Sequence, residues 1–428
     1  MDIKKLHSLF LNSTGICTDT RKLKEGQLFF SLKGENFDGN KYAQNAIKKG
    51  ASYAIIDNKE YLAEQTILTK DVLTKLQELA NYHRKHLGIK IIGLTGSNGK
   101  TTTKELINAV LETEYKTKAT IGNLNNHIGV PLTLLSMTNN TEIGIVEMGA
   151  NHLKEIALLS KISEPNYGYI TNIGKAHLEG FGSKENILIA KTELYKNIES
   201  SNGTIFINSD DEKLSKKAVD LKKIKFSQTE KDGFAISHLE SDPFVKIKYN
   251  DTIITSKLIG DYNYTNIAAS IAIGLHFNIK IENIKKAIEN YTPTINRSQL
   301  IKTNNSNNII LDAYNANPSS MEVALNHFFK EKTTHNKVLI LGDMFELGEF
   351  SREEHQSIVN KISQNSIITK TYLAGENFYN TSVENNKIEK FRTSEDLINH
   401  LKKLRINDSK ILVKGSRGMK LEQCLEVL

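Results

Sequence analysis

The chain has 428 residues, 39% hydrophobic and 25% charged, with a net charge of +7 from 56 basic and 49 acidic side chains. At roughly 100–200 residues per domain this is room for two to four soluble domains, each with a real core, and the small, dispersed basic excess fits anionic small molecules rather than a nucleic-acid footprint. No run of about 18 apolar residues marks a membrane span, and the two cysteines, Cys17 and Cys424, lie too far apart in sequence to suggest a disulfide framework or a thiolate metal site.

Residues 1–85 read as short strands and turns (GQLFFSLKG, then DGN), a helix over YAQNAIKKGA and a strand over SYAIID, punctuated by Gly34, Gly39 and Gly50. The apolar N-terminal run in MDIKKLHSLFLNSTG is too short for a signal peptide, so the expected compartment is the cytosol. From about residue 89 the pattern becomes strand then helix. IKIIGLTG precedes TTTKELINAVLET, IGIVEMGA precedes HLKEIALLSKIS, YGYITNIG precedes SKENILIAKTELYKNI, and GTIFINSD precedes DEKLSKKAVDL. Such alternation predicts a parallel sheet covered on both faces. Residues 234–259 read as antiparallel β structure, followed by helices from Asn263 to about Phe277 and near 281–290. After Pro293 a third α/β unit begins with NIILDAY and the helix PSSMEVALNHFF, where Pro318 suits the first helical turn. KVLILGDM, TYLAG and KILVKGSRG continue it. The expected architecture is therefore α/β, in three domains of 1–85, 86–293 and 294–428.

Between the IKIIGLTG strand and its helix lies Thr95-Gly96-Ser97-Asn98-Gly99-Lys100-Thr101-Thr102. Glycines in such a turn let backbone N–H groups converge on phosphate oxygens without Cβ clashes, and the helix N-terminus adds partial positive charge. Lys100 can reach β- and γ-phosphates, and the Thr101 hydroxyl can ligate Mg²⁺. The general phosphate-loop pattern asks for a glycine where Leu94 stands, so this is a shortened form. The loop means nucleotide, without saying which reaction.

Glu147 ends one predicted strand, His177 follows another, and Lys191 sits on the next helix. Ligands in open α/β sheets lie beyond the carboxyl ends of strands. Glu147 and His177 could thus be Mg²⁺ ligands, second-shell groups acting through water, or plain structural residues. A lone lysine on a helix is ordinarily a solvated surface group.

The segments TGSNGKTT, EMGAN, NIGKAHLEGFGS and AKTEL resemble the central domain of the Mur ligase family, ATP-dependent enzymes that assemble the peptide of bacterial peptidoglycan. The resemblance runs through nearly the whole chain. It implies a central P-loop ATPase domain, an N-terminal α/β domain for a UDP-linked substrate and a Rossmann-like C-terminal domain. It also implies ATP, two Mg²⁺ ions and an acyl-phosphate route to an amide. On that basis Gly96, Ser97, Asn98, Gly99, Lys100, Thr101 and Thr102 hold phosphates, with Thr101 and Glu147 at the first Mg²⁺ and His177 supporting the second. Lys191 matches the lysine that the family carries as an N-carbamate, an anion able to help bind metal. Asn266 in GDYNYTNIAAS, Arg297 in NRSQ and Asp312 in LDAYNANPSSM match the remaining ATP contacts, and Lys100, His177, Lys191 and Arg297 are the expected catalytic set.

DAYNANPSSM and LGDMFELGEFSREEH resemble the branch of the family that adds D-alanyl-D-alanine to a UDP-N-acetylmuramoyl-tripeptide. No Asp-Asn-Pro-Arg sequence of the diaminopimelate-adding branch is present. Thr20 and Arg21 then become candidates for the UDP moiety, Asn125 and Asn126 for the sugar-peptide, and Ser416 and Arg417 for the dipeptide. Asn40 stands where a histidine is common in the family. The expected enzyme is a cytoplasmic monomer acting on small molecules, with no nucleic acid and no membrane insertion. Competing expectations are a ligase of the same fold with another amine donor, and a nucleotide-binding switch without ligase chemistry.

Overall fold

The computed structural model describes residues 1–293 and 297–428. Three main sheets follow one another along the chain. The first has four parallel strands in the order Ile16–Cys17, Leu28–Phe30, Tyr53–Ile56, Thr66–Leu68. Leu6, Phe30, Ile55, Leu76 and Leu79 are buried between this sheet and the Ile3–Leu11 and Val72–Leu87 helices. Val72–Leu87 was not foreseen as an element. Its signals are local: the Asp71 side chain accepts from the Thr74 N–H at 2.7 Å, and Gly88 closes it at φ +63°. The expected boundary at residue 85 falls in its last turn; the one at 294 lies outside the described residues.

The second sheet has nine strands. From one edge they run Thr117–Ala119, Ile143–Glu147, Lys90–Thr95, Tyr167–Ile170, Thr204–Asn208, Lys223–Ser227 and Phe234–Ser241, all parallel. Phe244–Tyr249 and Thr252–Ile259 then extend it antiparallel. The expected antiparallel region is thus a continuation of the central sheet. After Lys90–Thr95 the chain builds one flank, then crosses back to Tyr167–Ile170 on the other. That reversal leaves a crevice at the carboxyl end of Lys90–Thr95, where the Gly96–Gly99 turn sits. The Asn263–His276 helix is apolar nearly all round because it is enclosed, with Ile267, Ala268, Ile271 and Ala272 fully buried.

The third sheet has the order Gln299–Lys302, Asn308–Asp312, Ser409–Lys414, Asn336–Gly342, Lys370–Ala374, Ile388–Phe391, antiparallel only at the first pair. Register places Asp312 beside Lys414 at the strands' carboxyl ends. Pro318 opens the Pro318–Lys330 helix as expected, under a capping box formed by Asn317 and Ser320.

Candidate functional site

The phosphate loop is anchored by the segment after the neighbouring Tyr167–Ile170 strand. Gly96 has φ +148° and Gly99 +77°. A Cβ at Gly99 would lie 2.6 Å from the Asn266 side-chain oxygen, so the glycine lets the Asn263–His276 helix press against the loop. The Asn98 N–H donates to the Asn172 side chain at 3.0 Å, and the Thr171 hydroxyl donates to the Asn98 carbonyl at 2.6 Å. Ser97 exchanges hydrogen bonds with Gly174 through its hydroxyl, at 3.0 and 2.9 Å. Asn172 and Gly174 were missed by the sequence reading, although both stand in the TNIGKA stretch that follows the neighbouring strand.

Lys100 begins the Lys100–Leu111 helix and curls over the loop, its ammonium donating to the Gly96 carbonyl at 2.7 Å. Burial lowers its pKa, with Arg297 adding to the effect and Glu147 opposing it. Glu147 is 1% exposed. Its Oε1 accepts from Asn125 at 2.8 Å and from the Thr101 hydroxyl at 3.4 Å, while its buried Oε2 has no partner. A buried carboxylate oxygen without a donor needs a compensating cation. The donor set of one hydroxyl and one carboxylate suits Mg²⁺, which takes few protein ligands and completes its shell with water and phosphate oxygens. Among the described residues no cluster of three or more His, Cys, Asp or Glu could hold a metal by itself.

Lys191 is 1% exposed, against the ordinary expectation for a helix lysine. Its ammonium has one hydrogen bond, to the Ala150 carbonyl at 3.2 Å, and lies 5.3 Å from the Phe181 ring centroid. Burial pushes its pKa well below the usual lysine value; Lys100 adds to the shift, and Glu155 and Glu193 oppose it. His177 sits in a left-handed conformation at φ +55°, and its Nδ1 pairs with Glu346 of the C-terminal unit. That hydrogen bond holds the Glu346 carboxyl below its ordinary range.

The C-terminal unit supplies the facing wall. The Arg297 guanidinium stacks on the Tyr314 ring at 3.7 Å. Asp312 pairs with Lys414, which is 2% exposed, and Asp312 Oδ1 accepts from the Ser298 N–H at 3.3 Å. The Asn317 amide, besides capping its helix, donates to the Asn98 side chain at 2.8 Å. Lys414, Tyr314 and Asn317 were not singled out in the sequence; each lies in a flagged segment but has no distinguishing local spacing.

These walls enclose a cavity of about 890 Å³ lined by Ser97 to Thr102, Asn125, Asn126, Glu147, His177, Asn266, Arg297 and Asp312. Gly96 does not line the cavity; its carbonyl accepts from the Lys100 ammonium. Asn126 is chiefly structural, its side chain accepting from the Ile128 and Gly129 N–H groups at 3.1 and 2.9 Å. Ser416 and Arg417 line an adjoining recess of about 140 Å³. Thr20 and Arg21 line neither cavity; Arg21 points to solvent and pairs with Asp19 at 2.8 Å. Asn40 is fully buried and ties Asp38 to Asp57 at 2.7 and 2.9 Å, a structural use.

A phosphate loop at a sheet's switch point, facing an arginine and an aspartate of a second α/β unit, defines a nucleotide-dependent enzyme whose ligand cavity lies between two units. The family descriptions "Mur ligase family, catalytic domain", "Mur ligase middle domain" and "Mur ligase, glutamate ligase domain" match residues 12–93, 94–274 and 296–417. The chain belongs to the Mur ligase family. It is 37% identical over 426 residues to the UDP-N-acetylmuramoyl-tripeptide--D-alanyl-D-alanine ligase of Bacillus subtilis, covering 97% of this chain and 93% of that protein. The Escherichia coli protein of the same name is 31% identical over 424 residues, covering 96% and 93%. Among solved structures, MurF from Acinetobacter baumannii superposes with a TM-score of 0.86 at 28% identity, covering 99% and 97% of the two chains. MurF from Thermotoga maritima in complex with ADP gives 0.85 at 25%, covering 97% of each.

Proposed function

We propose that the protein is the ATP-dependent ligase that joins D-alanyl-D-alanine to UDP-N-acetylmuramoyl-tripeptide, giving the pentapeptide precursor of peptidoglycan. The observation that carries this reading is the shared cavity, with a phosphate loop on one wall and Arg297 and Asp312 on the other, in a chain similar over nearly its full length to ligases of that name. The tripeptide's terminal carboxylate attacks the γ-phosphorus of ATP, and ADP leaves. The dipeptide amine then attacks the acyl carbon, loses its proton and expels phosphate, leaving one new C–N bond. The loop's N–H groups and Lys100 hold the phosphates, and Arg297 meets the charge that develops during transfer. Asn266 and Asp312 are assigned to the nucleotide, and Thr101, Glu147, His177 and a carbamate at Lys191 to two Mg²⁺ ions, which would neutralise phosphate charge.

Burial that lowers the Lys191 pKa favours the neutral amine, the form that adds CO₂ and releases one proton to become a carbamate. Protein equilibrated with ¹³C-bicarbonate should give a carbamate signal that Lys191→Ala removes; the same signal in that variant would overturn the assignment.

The division of labour we infer gives the UDP moiety to residues 1–85, with Thr20 and Arg21, the ATP to 86–293, and the dipeptide to 294–428, with Ser416 and Arg417. Asn125 and Asn126 are assigned to the sugar-peptide. We place the enzyme in the cytoplasm, in keeping with two free, buried thiols, and take it to act as a monomer. Among the described residues no helix is long and apolar enough to cross a membrane. The test is release of phosphate from ATP. It should require the UDP-linked tripeptide and D-alanyl-D-alanine together; turnover indifferent to both would point to a nucleotide switch, and turnover with a single amino acid donor to another ligase of this fold.

A further inference from the structure

Glu346 stands where the two cavities meet. Both the large cavity and the small recess are lined by Glu346 and by His177. His177 comes from the loop after Tyr167–Ile170 of the central sheet, and Glu346 from the loop after Asn336–Gly342 of the C-terminal sheet. The Glu346 carboxylate takes up Nδ1 of the ring, which leaves Nε2 as the nitrogen available to a ligand. A second tie runs beside it: the Glu179 N–H donates to the Glu346 carbonyl at 3.1 Å.

The loop carrying Glu346 is pinned residue by residue. The Asp343 N–H donates to the Ala374 carbonyl at 3.1 Å, and the Asp343 carboxylate accepts from the Asn377 and Phe378 N–H groups, each at 2.9 Å. The Met344 N–H donates to His355 at 3.0 Å, and the Phe345 N–H to the Ser416 hydroxyl at 2.9 Å. Glu346 itself is held at φ +60° and His177 at +55°, conformations that non-glycine residues adopt only when their surroundings impose them. Two residues in unfavourable conformations that meet each other across a domain seam mark a constellation built for position.

We propose that Glu346 is a positioning residue for the ligase reaction, accepting the His177 Nδ1–H so that the imidazole is aligned between nucleotide and amine only when the C-terminal unit is docked. The proposal rests on the function proposed above. It makes closure a condition of chemistry, because His177 is oriented by a group that belongs to the other unit.

The experiment is steady-state kinetics of Glu346→Ala, Glu346→Gln and His177→Ala, with the double variant His177→Ala/Glu346→Ala. Misplacing a group at the reacting centre costs on the order of 10²-fold, so Glu346→Ala should lower kcat by about that factor while KM for ATP stays within about twofold. Glu346→Gln keeps an acceptor on a side chain of equal length and should recover most of the loss. In the His177→Ala background, Glu346→Ala should have no further effect. Wild-type kcat in Glu346→Ala, a loss confined to KM for ATP, or an equal loss with His177 already removed would each overturn the proposal. If Glu346→Ala fails to fold, Glu346→Asp decides instead: its shorter reach should lower kcat with KM preserved, and unchanged kcat would sink the idea. Failure of the function reading is a separate result, since wild-type protein would then show no phosphate release dependent on both substrates.

Discussion

A methyl group at position 96 would stand 1.9 Å from the Thr171 hydroxyl, in a backbone conformation of φ +148° that a side chain disfavours. Both effects act on the loop that Lys100 and Ser97 share. Gly96→Ala should therefore cost about 1–3 kcal/mol of stability and remove ATP turnover; chemical denaturation and the phosphate assay check it, and near-normal turnover would mean that the loop can relax. Lys191 makes the opposite case. Its burial costs stability that one carbonyl contact at 3.2 Å cannot return. Lys191→Met, of similar volume and without charge, should match or exceed wild-type stability while losing ligase activity. A destabilised variant would show that the lysine side chain is a structural group.

At the scale of elements, the Ile3–Leu11 and Val72–Leu87 helices meet through histidines. His7 Nε2 and His83 Nδ1 are 3.0 Å apart, His83 Nε2 faces the Met137 carbonyl at 3.0 Å, and the His86 ring lies 4.8 Å from His7. Burial, helped by His83 and His86, lowers the His7 pKa from 6.5 to about 4, and burial lowers that of His83 as well. Between those values the unfolded chain binds a proton that the folded one refuses, so stability is whole above about pH 6.5 and is lost as pH falls toward 4. Denaturation midpoints measured across that window should fall with pH, and less steeply in His7→Phe. Identical slopes would remove His7 from the account. Asn317 couples an element to the site: it caps Pro318–Lys330 and also holds Asn98. Asn317→Ala should cost about 1–2 kcal/mol and weaken nucleotide binding, as titration calorimetry would register. Loss of stability with unchanged affinity would confine its role to the cap.

For the whole molecule, the cavity belongs to a seam. The Lys175 N–H donates to the Ser319 hydroxyl at 2.7 Å, the Lys175 ammonium pairs with Glu354 at 2.5 Å, and His177 and Glu179 both reach Glu346. A ligand in that seam should rigidify both walls at once. Hydrogen exchange with ADP and Mg²⁺ should show protection in residues 174–181 and 344–350 together. Protection confined to the central unit would mean that the nucleotide is held by one wall alone.

The strand, glycine turn and helix of residues 90–111 were legible in the sequence, as were the alternation of the central unit and Pro318 at its helix start; Glu147, Asn266, Arg297 and Asp312, singled out by motif, line the cavity. Each depends on spacing within a few residues, on a glycine where φ is positive, or on a motif carried intact. The Val72–Leu87 helix was missed even though Asp71 and Gly88 mark its ends and Val72, Leu76, Leu79, Ala80 and His83 recur on one face at helical spacing, so its signal was present in the sequence. What only the tertiary structure decided lies between distant parts of the chain. Lys191 is enclosed rather than solvated, Asn126 serves its own helix, Arg21 stands apart from the cavity, and Glu346 meets His177 across 169 residues. Such contacts leave no periodicity in the sequence. They arise because the crossover at Lys90–Thr95 opens a crevice and the third sheet docks its strand ends over it, and that is a property of sheet order and packing.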